Sequence, residues 1–401
     1  MLYDVIICGS GVAGSTAAYF LANAGLKILV AEKEKLPRYK TCGGGVVFRA
    51  AQELPFEIAP VIEKTFHKTD IYDFSNNLHF VIERKQPILY LTMRENLDYF
   101  IMQKAIEKGA DVVDQFSIDG ITVDKKEVMI NAGSLEFKTK FLIAADGALS
   151  TIARLMSFKH SKLKVPALEY EVELNDSDSF KILSDSLRFD FGILESGYCW
   201  VFPKKNHLSI GIAAMRKDNT SLKEYLGRYF EKLNVAGKIN KIEKHGFVIP
   251  IKPSKNYSVK ERILFAGDTI GLADPITAEG ISNAILSGKA AAKSLIEGDL
   301  NPEKAVMNYK IKIDEITEEL KYARFLAWFV YASPKIRSFV FKHYGNRIGE
   351  LLTDVITTEK KYKQIVTNPI NYLKLFKPRY LFGRNLKTKT GSKEDLLTSR
   401  I

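Results

Sequence analysis

The chain has 401 residues, of which 46% are hydrophobic and 26% are charged. This composition is typical of a globular protein and excludes a disordered chain, and the length favours two domains, which can be interleaved. The net charge of +12 would suit nucleic acid or an anionic membrane surface, but the lysines are scattered along the whole chain and no nucleic-acid-binding motif is present. A generally lysine-rich composition explains the charge equally well.

Cysteine usage and the N-terminus indicate a compartment. Cys8, Cys42 and Cys199 are odd in number and widely spaced, without a metal-ligand grouping, so we expect a reducing compartment and no metal site. Asp4 and a glycine turn interrupt the first apolar run, which argues against a signal peptide. No stretch approaches the ~20 apolar residues of a membrane span. These features predict a cytoplasmic protein.

The first 34 residues predict a βαβ unit. Residues 3–8 are an apolar run that is long enough for one buried strand, and Gly9-Ser10-Gly11-Val12-Ala13-Gly14 follows as G-x-G-x-x-G. Helical spacing then extends over residues 15–24. Residues 26–31 form a second apolar run that ends at Glu32.

Each part of this unit suits dinucleotide binding. Gly9 permits a tight turn, Gly11 lets backbone N–H groups approach a pyrophosphate at the positive helix end, and Gly14 lets helix and strand pack closely. Glu32 lies about 20 residues beyond the glycines, where a carboxylate can accept hydrogen bonds from a ribose diol. The alternative is an ordinary glycine turn in a parallel sheet.

Beyond Glu32, the chain continues with mixed elements. The three glycines of Thr41–Gly45 indicate close backbone approach to a flat ligand or simply a flexible loop. Alternation within residues 65–90 predicts strands of a second, antiparallel sheet. The other elements predicted before residue 150 are helices at 50–54 and 93–108, a strand at 110–116, a hairpin at 121–138 and a buried strand at 141–145.

The second half predicts an inserted domain and a helical end. Residues 165–260 are rich in strand patterns, with one helix, and residues 262–266 return to parallel-strand character. The predicted strands are 167–174, 187–194, 198–202 and 208–214, and the predicted helices are 222–233, a small-residue helix at 281–295 and a helical region at 302–376 before a basic tail.

Four separated motifs now occur together. They are Gly9-x-Gly11-x-x-Gly14 with Glu32, Arg94-x-x-Leu97-Asp98, Asp146-Gly147 with Ser150 and Arg154, and Gly267-Asp268 with Pro275 and Gly280. The set resembles the flavoproteins of p-hydroxybenzoate hydroxylase type over roughly residues 1–300. The resemblance implies FAD as cofactor, with Asp268 near its ribityl–pyrophosphate region and Arg94 near the pyrophosphate. It also implies that Gly280 and Ile281 present N–H groups to the flavin pyrimidine.

Further stretches narrow the resemblance to the geranylgeranyl reductase family. Residues 37–45 look like its P-R-Y-K-P-C-G-G-G loop, residues 198–204 match its Y-x-W-x-F-P-K motif, and residues 268–280 resemble its G-D-A-A-G-x-x-x-P-x-T-G-E-G-I stretch. Two departures stand out. Thr41 replaces the usual proline and is expected to loosen the cysteine loop, and Ala278 replaces the usual glycine and is expected to shift a turn.

The resemblance implies an α/β fold. It comprises a Rossmann-type FAD-binding domain, an interleaved antiparallel β-sheet substrate domain and a C-terminal helical region. The expected boundaries are 1–65, 91–160 and 261–300 for the FAD-binding domain, 66–90 and 161–260 for the substrate domain, and 301–401 for the helical region.

The resemblance also implies the site residues. The expected cofactor-binding residues are Gly9, Gly11, Ala13, Gly14, Glu32, Lys33, Cys42, Gly43, Gly44, Arg94, Asp146, Gly147, Asp268, Pro275, Gly280 and Ile281. Tyr198, Trp200 and Phe202 alternate along one predicted strand and, with Pro203, are the expected substrate-binding residues; the alternative is a plain domain core. Cys42 is the candidate catalytic residue, as a proton relay or a positioning group, against the alternative of an inert small hydrophobe.

The implied reaction is saturation of C=C bonds in a geranylgeranyl or polyprenyl chain. Reduced FAD would deliver hydride from N5 to one alkene carbon, and a proton would add to the other. The substrate is expected to be a prenylated lipid or an isoprenoid diphosphate, and the electron donor NADPH or a reduced ferredoxin. Residues 322–344 combine aromatic and basic side chains around Pro334, which predicts a helical hairpin that rests on the inner face of the membrane or packs on the substrate domain.

Two other functions stay open at this level. One is a flavin-dependent monooxygenase of hydroxylase or halogenase type on the same fold, although the halogenase W-x-W-x-I-P motif is absent from the sequence. The other is a flavin-binding or lipid-carrying protein without catalysis, against which the intact glycines and Asp268 argue.

Overall fold

A computed structural model describes residues 2–158, 163–216, 221–253 and 259–369. The predicted basic tail, the last residues of the predicted helical region and His160 lie outside the described residues. Within the described ranges, no helix is both long and apolar enough to cross a membrane.

The described chain alternates strands and helices. Its strands, β1 to β18 in chain order, are Leu2–Cys8, Ile28–Ala31, Gly45–Val47, Lys64–Phe66, Lys68–Asp73, Leu78–Glu83, Leu89–Leu91, Asp111–Val113, Gly120–Val123, Val128–Ala132, Leu135–Ala144, Lys164–Leu174, Leu187–Phe191, Gly197–Pro203, Leu208–Ala214, Ile239–Pro250, Val259–Lys260 and Ile263–Phe265. Its α-helices, α1 to α10, are Val12–Asn23, Phe48–Gln52, Arg94–Ile106, Thr151–Leu155, Ser177–Leu183, Leu222–Lys232, Ile281–Glu297, Pro302–Tyr331, Pro334–Ile356 and Tyr362–Thr367.

The first sheet has a parallel centre. Its main path runs β17-β18-β11-β1-β2-β8, and β18, β11, β1, β2 and β8 pair in parallel. β1 carries a continuous apolar run, and its residues 5–8 are fully buried, as expected of a strand covered on both faces. α1 leaves β1 through the glycine turn and packs on α3 and α7. The βαβ unit predicted from the first 34 residues is therefore present.

The second sheet runs β16-β12-β15-β14-β13-β5-β6. All neighbours pair antiparallel except β13 and β5, which pair in parallel. The fold class predicted from the sequence is confirmed with this one difference. Its cause is the chain path, because the β5–β6 hairpin comes from an early segment and joins the sheet edge beside the later strand β13.

The two faces of the second sheet have separate cores. β14 is buried along its whole length, and Tyr198, Trp200 and Phe202 point to one face while Cys199 and Val201 point to the other. The first face packs towards the FAD-motif side and towards α8 and α9. The second packs against α6. The aromatic residues therefore face the space between the two sheets.

One predicted connection is wrong. The hairpin predicted at 121–138 and the buried strand predicted at 141–145 share one strand, β11, which pairs antiparallel with β10 in its first half and parallel with β1 from Lys138 onward. The change of partner explains the error, since the same strand is half-exposed at first and fully buried at its end.

A small third sheet runs β3-β7-β4, and the cysteine loop leads directly into β3. The helical end begins as predicted, with α8 and α9 meeting at Pro334, which is the first residue of α9. The division into domains by residue ranges stays a prediction.

Gly14 fixes the distance between α1 and the glycine turn. A Cβ atom at this position would lie 1.9 Å from the carbonyl oxygen of Gly9 and 3.2 Å from Ile7 Cγ2. We expect Gly14→Ala to lower the free energy of unfolding by roughly 1–3 kcal/mol, because backbone has to move to admit the methyl group. Urea denaturation measures the change.

Gly227→Ala is the matched control for this substitution. Gly227 lies inside α6, and a Cβ there meets no atom within 4 Å. It should leave stability unchanged or raise it by up to about 1 kcal/mol through helix propensity. Equal effects of the two substitutions would contradict the packing role of Gly14.

Candidate functional site

One cleft lies between the two large sheets and collects most of the predicted site residues. The cysteine loop, the N-termini of α1 and α7 and the aromatic face of β14 all line it. The predicted residues that line it are Gly11, Ala13, Cys42, Gly43, Gly44, Arg94, Gly147, Asp268, Gly280, Ile281, Tyr198, Trp200 and Phe202.

The other predicted residues lie near the cleft but do not line it. They are Gly9, Gly14, Glu32, Lys33, Asp146, Pro275 and Pro203. Lys33 points outward, with its side chain 68% exposed beside Glu34. Asp146 accepts hydrogen bonds from Ser150 Oγ and the N–H of Ile152, so it holds the start of α4. Cofactor binding by these residues stays a prediction.

Glu32 is the central acceptor of the glycine turn. Its Oε2 accepts hydrogen bonds from Ser10 N at 2.9 Å and Ser10 Oγ at 2.7 Å, and it lies 3.2 Å from Arg38 Nε. Burial would raise the pKa of Glu32, but Arg38 and these hydrogen bonds lower it below its usual range. The carboxylate therefore stays ionised, and the two hydrogen bonds from Ser10 hold the glycine turn against it.

Arg38 connects this turn to α3. Its guanidinium also lies 3.5 Å from Asp98, which Arg94 binds through two hydrogen bonds of 2.7 and 2.8 Å. Burial would lower the pKa of Arg94, but Asp98 and the neighbouring Cys42 raise it. The alternating acids and bases from Glu32 to Arg94 therefore hold the glycine turn and the start of α3 together beside the cleft.

Gly11 shows that the cleft fits a cofactor. Its φ of −66° is open to any residue, and a Cβ there would approach protein atoms no closer than 3.5 Å. The protein alone therefore does not require glycine at this position, whereas a ligand lying against the turn would. The first turn of α1 holds no acidic side chain and no side-chain cap, so this helix N-terminus leaves N–H groups for an anion. In the first turn of α7, Glu279 Oε1 accepts a hydrogen bond from the N–H of Ser282 at 2.7 Å, so a carbonyl of a ligand would have to use the other N–H groups of that turn.

Cations and Asp268 complete the cofactor side. Lys40 and Arg94 line the cleft, and burial, together with Arg94, lowers the pKa of Lys40 against the opposing effect of Asp268. Asp268 Oδ1 lies 3.3 Å from the position of a Cβ on Gly280, at the start of α7. A diphosphate with hydroxyl groups nearby meets complementary charges and acceptors here.

The cysteine loop is fixed by a buried lysine. Lys204 is fully buried at the end of β14, and its Nζ donates to the carbonyl oxygens of Gly43 at 2.7 Å and Thr92 at 2.8 Å. Gly44 has φ +67°, and a Cβ there would lie 1.9 Å from Thr92 O, so only glycine fits. The loop is tightly held despite Thr41, which contradicts the expected loosening.

Cys42 lies in this loop beside Arg94. Its Sγ accepts a 3.4 Å hydrogen bond from the N–H of Gly44, and its side chain is half-buried on the cleft wall. Trp200 and Phe202 lie against the same loop, because a Cβ on the next residue, Gly43, would lie 2.8 Å from Phe202 and 3.3 Å from Trp200 Nε1. The cysteine and the aromatic face therefore belong to one wall.

Ala278 shows the cost of its departure from glycine. The turn of residues 274–280 is held by Asp274, whose Oδ1 accepts from the N–H groups of Ile276 and Thr277. Ala278 has φ +57° there, in the left-handed region that disfavours side chains by roughly 1–2 kcal/mol. The turn keeps its shape and carries this strain rather than shifting.

The comparisons with known proteins agree with this geometry. The family model described as DAO, FAD dependent oxidoreductase, matches residues 4–101. The chain is 29% identical over 357 residues to digeranylgeranylglycerophospholipid reductase 2 of Methanothermobacter thermautotrophicus, which covers 81% of this chain and 88% of the relative.

Solved structures give the same result. A geranylgeranyl bacteriochlorophyll reductase-like protein from Thermoplasma acidophilum superposes with a TM-score of 0.72 at 25% identity, over 94% of this chain and 96% of that chain. The halogenase PltM with FAD shares the fold alone, with a TM-score of 0.69 at 17% identity over 92% of this chain and 84% of that chain. The chain is an FAD-dependent oxidoreductase related to the digeranylgeranylglycerophospholipid reductases.

In this FAD-dependent oxidoreductase, the residues present fit FAD. Gly11 and Ala13 at the N-terminus of α1 would face the pyrophosphate, with Arg94 as its counter-charge. Asp268 would accept from ribityl hydroxyls, and the N–H groups of Gly280 and Ile281 would face the flavin pyrimidine. These assignments stay proposals.

Sequence reasoning missed several residues of the oxidoreductase cleft. Arg38 and Lys204 stand in the family stretches at 37–45 and 198–204, but these stretches do not show their role, because the contacts with Asp98, Gly43 and Thr92 form only in the folded chain. Glu169 on β12 also lines the cleft and is only 1% exposed. A signal existed for it, because Glu169 and Glu171 place acids at alternate positions of an otherwise buried strand.

The pKa of Glu169 lies close to neutral pH. Burial is the main cause that raises its pKa to about 7, and the nearby charge of Glu171 adds to the effect. A hydrogen bond from Ser209 Oγ at 2.7 Å and the charge of Lys204 oppose the rise. An acid in this state is poised to exchange a proton near pH 7.

The raised pKa of Glu169 predicts a pH-dependent stability. The folded protein binds this proton more tightly than the unfolded chain, whose carboxyl has the ordinary value of 4.5, so the stabilisation is complete below pH 4.5 and is lost as the pH rises through about 7. Over this pH window the wild-type protein should lose on the order of 3 kcal/mol of its free energy of unfolding, and we expect Glu169→Gln to abolish this loss. Urea denaturation across the pH range measures it.

Glu173→Gln is the control. Glu173 lies on the same strand with its side chain 45% exposed, and this variant should keep the wild-type pH profile. A parallel pH profile for wild type and Glu169→Gln would contradict the neutral buried acid.

Proposed function

We propose that this oxidoreductase saturates C=C bonds of the geranylgeranyl or polyprenyl chain of a prenylated lipid. Reduced FAD, when bound, supplies a hydride to one alkene carbon, and a proton adds to the other. The reductant that we propose is NADPH or a reduced ferredoxin. The relatives named digeranylgeranylglycerophospholipid reductase support a prenylated glycerolipid as the substrate class.

The observation that carries the proposal is an apolar pocket that continues from the cleft. Leu89, Phe189, Tyr198, Thr277 and Ile356 line both spaces. The pocket extends between the face of the second sheet formed by β5, β6 and β13 and the helices α8 and α9. Its further walls are Thr69, Ile71, Phe80, Ile88, Leu187, Phe191, Ile276, Val330, Tyr331, Phe341, Gly345, Ile348, Gly349, Leu352 and Thr353.

This pocket offers hydrocarbon and little else. Its lining contains no charged side chain among the described residues. Tyr331 Oη donates to Ile276 O, Thr353 Oγ1 donates to Gly349 O, and Tyr198 Oη donates to Thr277 O. These hydroxyl donors are therefore used inside the protein. Thr69 and Thr277 add two hydroxyl groups to the lining, so a polar aromatic substrate of a hydroxylase would find few partners there, whereas a prenyl chain needs only dispersion and burial.

The aromatic face supports a position for the double bond beside the proposed cofactor side of the cleft. Phe189 and Phe202 meet edge to face at a centroid distance of 5.3 Å, and Tyr198 and Trp200 follow along β14 with ring centroids 6.0 Å apart. These rings would hold an alkene by shape, and Cys42 would position it from the same wall of the cleft. Held this way, the reacting carbons stay away from bulk water.

The test is anaerobic. Enzyme reduced with dithionite is mixed with a geranylgeranyl lipid, and flavin reoxidation is followed together with product mass. We expect reoxidation and a mass gain of one hydrogen pair per saturated bond without O₂. Reduced flavin that persists until O₂ is admitted, with no saturated product, would replace this proposal by a monooxygenase.

Filling the pocket tests the chain-binding part. Ile348→Trp on α9 should slow turnover of the full-length geranylgeranyl lipid by about tenfold or more, equivalent to about 1.4 kcal/mol. A short prenyl analogue that does not reach α9 should react nearly as in wild type. Lys310→Trp, on the exposed side of α8, should change neither rate. An equal loss for both substrates would argue against a chain in this pocket.

We further propose that the corner between α8 and α9 contacts the membrane. Phe325, Trp328 and Phe339 are about half exposed there, and Lys335 and Lys342 lie on the same corner. Exposed aromatics flanked by lysines suit the interface of an anionic membrane. The predicted segment is corrected in one respect, because Arg337 and Phe341 are buried and face the protein, with Arg337 donating to Glu195 O.

Vesicle co-sedimentation tests this contact. The double variant Phe325→Ser and Trp328→Ser should bind anionic vesicles at least about tenfold more weakly, since each aromatic contributes roughly 1.5–3 kcal/mol when buried. Met307→Ser with Ile311→Ser removes two equally exposed apolar residues elsewhere on α8 and should keep wild-type binding. Equal loss in both pairs would refute a specific corner.

A further inference from the structure

A buried carboxyl group lies on the cleft wall where the proposed reaction needs a proton. Glu169 Oε1 accepts a hydrogen bond from Ser209 Oγ at 2.7 Å. Oε2 is buried and forms no hydrogen bond with any described residue. The main chain of Cys42 lies close enough to the carboxyl group to lower its pKa, but its geometry does not complete a hydrogen bond to Oε2. One oxygen of the acid is therefore anchored and the other is left for a group in the cleft.

A second acid and a histidine connect this site with the surface. Glu171 is the next residue on the same face of β12 and is 9% exposed. Its Oε2 lies 3.0 Å from Nε2 of His207, whose side chain is 19% exposed. His207, Glu171 and Glu169 thus form a row of ionisable groups that leads from solvent to the cleft wall.

The groups around Glu169 come from every element packed on it. Lys204 approaches from the end of β14, and its charge stabilises the ionised acid. His245 lies opposite Glu169 on β16 and stacks on the ring of Tyr39 at 4.2 Å. Glu243 faces Glu171 on the same strand pair. Cys42 and Tyr39 cover the site from the cysteine loop.

We propose that Glu169 is the acid that supplies the proton for double-bond saturation, and that Glu171 and His207 refill it from solvent. This inference rests on the proposed function. The alkene accepts a hydride from the reduced flavin at one carbon and the carboxylic proton of Glu169 at the other, which gives two new C–H bonds for the lost π bond. Glu169 is left as a carboxylate and takes a proton from solvent before the next double bond reacts.

The proton for this step has to come from the protein. An isolated alkene carries no acidic hydrogen, and the hydrocarbon pocket excludes water along the chain. Within the described cleft lining, Glu169 is a buried carboxyl group that is neutral for part of its population near pH 7. It combines a transferable proton with a free oxygen at the cleft.

The first experiment follows protonation in the protein without turnover. Infrared difference spectra of the oxidised holoenzyme are recorded across the pH range, and the stretch of a protonated carboxyl group that titrates near pH 7 is expected. Glu169→Gln should remove this band, and the exposed Glu173→Gln on the same strand should keep it. An unchanged band in Glu169→Gln would overturn the proposal.

The second experiment is a single turnover. Dithionite-reduced enzyme is mixed anaerobically with a geranylgeranyl lipid, and flavin reoxidation is timed. We expect Glu169→Gln to slow it by about 10²-fold or more, the usual contribution of a positioned acid, with FAD content and reduction by dithionite unchanged. The wild-type rate should fall as the pH rises through about 7, and this fall should disappear in the variant.

Two more variants separate a chemical from a structural role. Glu169→Asp keeps an acid and should recover part of the rate and the pH dependence, which a variant that merely disturbs folding would not do. Glu171→Gln should leave the first saturation nearly unchanged and slow the later ones, because only refilling is impaired.

The outcomes distinguish this inference from the proposed function. Wild-type enzyme that saturates the lipid, with Glu169→Gln reacting at the same rate and pH profile, would overturn the role of Glu169 and leave the function standing. Wild-type enzyme that saturates no prenyl lipid would overturn both, even where the infrared band confirms a proton on Glu169.

Discussion

The cleft depends on one buried ammonium group. Lys204 extends from the end of β14 and binds the carbonyl oxygens of Gly43 and Thr92. It therefore joins the second sheet, the cysteine loop and the start of α3. Burial lowers its pKa, but Glu171 and Glu169 counteract this effect. Hydrogen bonds to a charged donor contribute roughly 1.5–3 kcal/mol each, and a buried charge without them is strongly unfavourable. The loop therefore has one position in which Lys204 is satisfied.

The same group couples the wall to the proton site. Its charge favours the ionised form of Glu169, whereas burial and Glu171 favour the neutral form. The opposing effects bring the acid close to neutrality, where a proton is both held and released readily. Glu32, Arg38, Asp98 and Arg94 form a comparable arrangement on the other side of the cleft, but there each acid meets a base directly.

Much of the fold could be predicted from the sequence because its signals are local. Short windows of sequence contain the G-x-G-x-x-G turn, the apolar runs around it and the small-residue helix α7. Most of the predicted site residues do line one cleft. What failed was long-range. β11 serves two partners in succession, and β5 pairs in parallel with β13, which lies more than a hundred residues further on.

Site residues divide in the same way. Cys42, Trp200 and Asp268 stand in stretches that point to their role. Arg38 and Lys204 stand in such stretches too, but their roles depend on carbonyls and carboxylates that only the folded chain brings to them. Glu169 had a local signal, two acids at alternate positions of a buried strand, but its meaning depended on which sheet face borders the cleft. Ala278 kept a turn that glycine would form more easily, because Asp274 holds its neighbours.

The apolar pocket has a mechanical consequence. Since its hydroxyl groups from Tyr331 and Thr353 are bonded within the protein and its lining carries no charge among the described residues, it presents a nearly uniform surface. A hydrocarbon chain in such a surface has no preferred register, because each shift along its axis exchanges one set of methylene contacts for an equivalent set. If the proposed substrate binds here, this wall would let the prenyl chain slide along its own axis. Successive double bonds of one chain could then reach the same chemical groups without the lipid leaving the protein.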